Sequence, residues 1–131
     1  MNSHAKWFGR LVWLGIVANL PFGLLGLFAP QVLFSTFQLE PAVPTIWTRD
    51  AGLFLVMVSL FYIPAARDPY RYRVNAWLLV IGRLAFAVFW FWGVLLSDFP
   101  NEYLPFGFAD LSLGIIQGIF LILTFRAEQQ A

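Results

Sequence analysis

The sequence predicts an all-α polytopic membrane protein: a four-transmembrane-helix bundle with a short interfacial helix in its first outer loop. Three observations carry that prediction. Four apolar runs, residues 7–28, 46–66, 74–96 and 106–125, each come close to the roughly 20 residues a helix needs to cross a hydrocarbon core of about 30 Å. Hydrophobic residues make up 60% of the 131-residue chain and charged residues 11%, where a soluble domain has roughly half and a quarter. The cations also gather beside alternate ends of the runs, as they do when loops face alternate sides of a membrane.

The first run is long for the apolar core of a secretory signal. It ends in Phe28, Ala29 and Pro30 without a small-x-small cleavage site, so it is read as a mature helix. Pro21 inside it removes an amide donor and predicts a bend near Asn19. Gly15, Asn19 and Gly23 form a small-residue stripe suited to close helix packing. The connection that follows has two parts. Pro30 to Leu39 carries Val32, Leu33, Phe34 and Phe37 and is the short interfacial helix, with Pro30 at an early position; Glu40 to Pro44 is a proline-rich stretch. The second run is short unless Arg49 and Asp50 enter the outer edge of the membrane, with Thr48 as N-cap and Asp50 complementing the helix dipole. The third run is dense in aromatic residues from Phe86 to Trp92. The fourth opens near Pro105 and carries a second small-residue stripe, Gly114 and Gly118.

Lys6, Arg10, Arg67, Arg71, Arg73 and Arg126 lie on one side of this scheme, and the two loops on the other side, around Glu40 and from Ser97 to Leu104, contain no Lys or Arg. The positive-inside rule then puts both termini in the cytoplasm of a bacterial inner membrane. Cysteine is absent and the one histidine, His4, lies in the N-terminal tail. Thiolate chemistry, Cys-ligated clusters and bis-histidine haem are excluded, and no metal or covalent cofactor is expected. A net charge of +1 with dispersed arginines gives no reason to invoke nucleic acid.

Any functional argument therefore rests on a few polar residues inside the runs, because ionisable groups there are costly and tend to be functional. Asp110 lies beyond the first turn of its helix, and its depth matches that of Arg49, which makes an Arg49–Asp110 ion pair the simplest assignment, with Asp50 nearby. Arg83 lies about 9 Å inside the third run from Trp77. It either snorkels towards the cytoplasm or turns inward to meet Asn19 and Gln117 at similar depth. In the inward arrangement Arg83, Phe86 and Trp90 form a guanidinium beneath an aromatic wall, a site for a ring-bearing lipid such as a quinone.

Arg10 with Leu11, Ala29 to Leu33, Trp47 to Gly52, Ala65 to Pro69 and Gly82 to Leu84 together resemble the DoxX-like group of small four-helix bacterial membrane proteins. Phe22 to Leu27 departs from it, standing where a more polar end to the first helix, often with Lys, is expected. The namesake is a subunit of a thiosulfate:quinone oxidoreductase, so the resemblance implies an accessory membrane subunit near quinone chemistry and transfers no catalytic residue.

Three functions are compatible with these residues. The leading expectation is a nonenzymatic subunit that packs against a larger membrane assembly, or against its own copies, and binds a lipid or quinone. A small oligomeric transporter using Asn19, Arg83, Asp110 and Gln117 is the second, although the first run lacks the acid that small four-helix multidrug exporters use. A lipid-directed enzyme with Asp110 or Asp50 as acid-base group is the third, and no second convergent catalytic group supports it.

Overall fold

The computed structural model describes all 131 residues. The chain is helical throughout: α1 (Ser3–Phe28), α2 (Pro30–Phe37), α3 (Ile46–Phe61), α4 (Ile63–Arg67), α5 (Arg73–Leu96) and α6 (Leu104–Gln130), with a 3-10 turn at Asn101–Tyr103 leading into α6. Four segments, Ser3–Phe28, Ile46–Arg67, Arg73–Leu96 and Asn101–Gln130, are long and apolar enough to cross a membrane. Helix ends differ from the apolar runs because helix geometry continues past the last apolar residue. α1 starts earlier because Asn2 caps it, its Oδ1 accepting the Ala5 N–H at 2.8 Å. α6 continues through Arg126, Ala127, Glu128 and Gln129, all compatible with a helix interior.

The second apolar run is divided. α3 ends at Phe61, Tyr62 is a turn, and α4 begins at Ile63. Pro64 supplies the reason: it has no N–H for the Leu60 carbonyl, and its ring crowds that carbonyl. At the other end of α3 the helix starts at Ile46, so Thr48 lies inside it and is not the expected N-cap.

Contacts divide the chain into two compact units, Met1–Trp13 with Tyr62–Ala131 and Leu14–Phe61. In the first, Ala5, Phe8, Val12, Ala65, Leu79 and Leu121 are each at most 1% exposed. α5 and α6 form an antiparallel hairpin whose register is fixed along its length. Arg73 pairs with Glu128, Trp77 meets Phe125 at 6.1 Å, Arg83 lies beside Gly114, and Phe91 meets Phe108 edge-on at 5.0 Å. The Arg73–Glu128 pair is half exposed (54% and 38%), so water screens much of its attraction. A short Asp68–Tyr72 turn joins α4 to α5, with Asp68 Oδ1 accepting the Tyr70 and Arg71 N–H groups, both at 3.1 Å.

In the second unit, the latter part of α1 packs on α3 at backbone distance. A methyl group on Gly52 would lie 2.6 Å from both the Gly23 carbonyl oxygen and the Leu27 nitrogen, so only glycine allows this approach. α2 begins at Pro30 as expected, and Phe37 meets Phe22 of α1 at 4.8 Å. Gln38 ends α2 in the left-handed conformation (φ 54°), its N–H bonded to the Phe34 carbonyl.

Very little apolar surface is hidden. Only 11–28% of the most apolar stretch of each long segment is buried within the chain, and Val17, Phe54, Leu78, Val88 and Ile119 are all more than half exposed. Exposed aliphatic surface on every long helix needs an apolar medium or partner to cover it.

Candidate functional site

The site lies in the first unit, on the α5–α6 hairpin. Gly114 has no side chain to hold α5 off, and a Cβ there would stand 3.1 Å from the Arg83 Cβ. The Arg83 side chain is thus laid along the surface of α6. Asp110 precedes Gly114 by four residues on the same face, about 6 Å of helical rise, within reach of a fully extended arginine. Arg83 Nη1 donates to Asp110 Oδ1 at 3.0 Å, and the two side chains are 8% and 19% exposed.

This geometry corrects the expected partner of Asp110. The carboxylate pairs with Arg83, while Arg49, in the second unit, donates from Nη1 to the Leu27 carbonyl at 2.8 Å. Leu27 is in the last turn of α1, where helical carbonyls lack intrahelical donors, so Arg49 completes a helix end. Asp50 is exposed on α3 and is in neither ion pair of the chain. The Arg83 side chain does not snorkel: its guanidinium turns to a carboxylate lying towards the C-terminal end of α5.

Two further groups converge on the pair. Trp90, two turns along α5, lies close enough to Asp110 for its indole to act electrostatically on the carboxylate. Tyr62 lies near enough to be acted on by the charges of both Arg83 and Asp110, and its hydroxyl oxygen is 3.7 Å from where a Gly82 Cβ would be. The break imposed by Pro64 is what places a tyrosine between α3 and α4. Sequence reading passed over Tyr62; the proline two residues after it was the available signal.

The aromatic wall is present with a different membership. Trp90 stacks on Tyr103 (5.3 Å, 8° between planes) and also meets Phe89, Phe99 and Phe106 at 5.1, 6.3 and 5.8 Å. Phe86, expected in this wall, is 48% exposed and meets Phe89 instead. Three residues separate it from Arg83, which leaves it about 60° around the helix. Tyr103 and Phe99 come from the α5–α6 connection, where no helical periodicity marks them.

Gln117 is 1% exposed and sits one turn beyond Gly114. Its Nε2 donates to the Leu11 carbonyl at 3.1 Å, tying α6 to α1, and its buried Oε1 accepts no hydrogen bond from the chain. Asn19 belongs to the second unit, partly buried on α1. The site within the first unit is therefore Arg83, Asp110, Trp90 and Tyr62, with Gln117 further along α6. No group of three or more His, Cys, Asp or Glu side chains is placed to hold a metal ion.

Chemically, the arrangement offers a guanidinium and a phenol as hydrogen-bond donors, a carboxylate as acceptor and a flat indole, carried by α5, α6 and the turn between α3 and α4. Comparison of the chain with family models, curated proteins and solved structures gives no match.

Proposed function

We propose that this chain is a nonenzymatic, multi-pass membrane subunit that binds the head group of a quinone or related ring-bearing lipid at the Arg83–Asp110 pair. The observation that carries the reading is a charge pair, 8% and 19% exposed, formed by Arg83 near the middle of α5 and Asp110 about two turns into α6, on helices whose other faces are apolar. A carbonyl oxygen of a ring head group accepts from the Arg83 guanidinium or the Tyr62 hydroxyl, and its ring lies against Trp90. The apolar tail runs along the exposed aliphatic faces. The resemblance to the DoxX-like group points the same way, towards an accessory subunit of a membrane oxidoreductase. Cations beside alternate ends of the four segments favour a bacterial inner membrane with both termini in the cytoplasm. The large uncovered apolar surface suits a second membrane subunit or further copies of the chain as partners.

The test is ligand-induced thermal stabilisation of the purified protein in mild detergent, with a short-chain benzoquinone as probe. The wild type gains stability with increasing quinone, whereas Arg83→Met with Asp110→Leu, which removes both charges together and strands neither, folds without responding. Equal responses from the two proteins, or no response from either, would return the pair to a purely structural role.

A second reading, a small oligomeric transporter, draws on the same partly buried Asp110 together with the buried Gln117. Proton-coupled flux in liposomes that Asp110→Asn abolishes would place it first.

A further inference from the structure

Six of the eight Lys and Arg side chains lie in the part of the first unit formed by the start of α1, the α4–α5 turn and the two ends of the hairpin that meet there. Lys6, Arg10, Arg67, Arg71, Arg73 and Arg126 are all exposed. The carboxylates available there are Asp68 and Glu128. Glu128 holds Arg73, and Asp68 is occupied as acceptor for the Tyr70 and Arg71 N–H groups. Five cations remain without a carboxylate among the ion pairs of the chain. At the other end of the hairpin the charged residues are Asp98 and Glu102, with no cation.

Two of the five leave from one helix crossing. Gly9 of α1 abuts the Ala66 carbonyl of α4, in a contact closer than any side chain at Gly9 would permit, and Arg10 and Arg67 are the next residue on each helix. Arg10 also lies over the ring of Trp7, 5.0 Å from its centroid, and Trp7 is itself 50% exposed. A half-exposed indole with the Arg10 guanidinium over its ring, at the end of long apolar helices, is suited to the boundary between acyl chains and head groups.

We infer that the Arg10–Arg67 crossing, bordered by Trp7, is a binding site for the phosphate of an anionic phospholipid. The inference rests on the membrane reading given above and is independent of the quinone site. Guanidinium groups bind phosphate through paired charge-assisted hydrogen bonds, and six cations against the two carboxylates of Asp68 and Glu128 leave this end of the unit with a surplus of positive charge. A lipid supplies the anion together with an apolar tail for the exposed helix faces below. The phosphate therefore binds at the rim of the first unit while its acyl chains cover the helices.

The experiment compares phosphatidylglycerol with phosphatidylcholine of identical acyl chains, added to the full-length protein in neutral detergent, with retained lipid counted by native mass spectrometry. Phosphatidylglycerol is retained preferentially by the wild type, and the preference weakens as salt is raised. Arg10→Gln with Arg67→Gln raises the half-saturating phosphatidylglycerol concentration about thirtyfold, on the scale of the surface attraction of two basic residues, and leaves phosphatidylcholine unchanged. Arg73→Gln with Glu128→Gln, which removes a pair already neutral, leaves both unchanged. Equal retention of the two lipids by the wild type, or an undiminished preference in the Arg10/Arg67 variant, overturns the site, as does displacement of the lipid by equimolar inorganic phosphate. Alkaline carbonate extraction of native membranes separates this failure from that of the membrane reading: a protein that stays in the membrane but shows no lipid preference loses only the site.

Discussion

Asp110 and Arg83 are each dependent on the other, because a charge left alone in a half-closed apolar setting keeps its desolvation cost without its partner's attraction. Asp110→Ala should therefore destabilise the protein by about 3 kcal/mol, and Arg83→Met with Asp110→Leu should recover most of that loss. Thermal or denaturant unfolding of the single and double variants in detergent gives the coupling, and additive losses would mean that the two side chains do not act as a pair. Both residues were legible in the sequence as charges inside long apolar runs, but their pairing was not. Depth counted from helix ends matches Asp110 with Arg49. What decides the pairing is the length of the arginine side chain and the missing side chain at Gly114, which together let Arg83 reach a carboxylate one turn away from its own level. Tyr62 was hidden for a related reason, since it enters the site through a break in what reads as a continuous apolar run.

Among the elements, the packing of α1 on α3 in the second unit depends on Gly52 more sharply than the small-residue stripe around Asn19 suggests. An added methyl there meets the backbone of Gly23 and Leu27, which cannot rotate away. Gly52→Ala should lower stability by about 1–3 kcal/mol, the range for overpacking. Gly82→Ala, whose methyl would meet only the Tyr62 hydroxyl at 3.7 Å, should be neutral or slightly stabilising because alanine is the better helix former. Melting temperatures of the two variants in the same detergent test the contrast, and equal shifts would remove the argument. Pro64→Ala addresses the α3–α4 break. Restoring the missing N–H should join the two helices, raise helicity by circular dichroism and move Tyr62 away from Arg83, weakening the response to quinone without loss of stability. The four long apolar segments were legible because composition and length fix them. Their ends and the break were not, because these depend on one side-chain cap at Asn2 and one proline.

At the scale of the whole molecule, the distribution of cations makes a prediction independent of any ligand. Reporters fused after Arg71 and at the C-terminus should register the cytoplasm, and one inserted near Glu40 should register the opposite side. The reverse pattern would overturn the orientation. The apolar surface of the four long segments makes a second demand: purification in mild detergent should yield protein accompanied by lipid or by partner subunits, since so little of that surface is covered from within.

The Asn2 side chain does more than begin α1. Its Nδ2 donates to the Thr124 carbonyl at 3.3 Å, so the first and last helices are fastened to each other at the same end of the first unit. Chains whose ends are neighbours can often be rejoined and reopened elsewhere. The exposed, non-helical stretch around Pro41 and Val43 offers the place to open this one. A circularly permuted gene, starting at Pro41 and bridging Ala131 to Met1 with a flexible linker long enough to run back along the last turns of α6, should yield a protein that folds with the same helix content. Such a permutant would carry its free ends in the segment expected on the far side of the membrane, making that side accessible to tags and cross-linkers while leaving the Arg83 site intact.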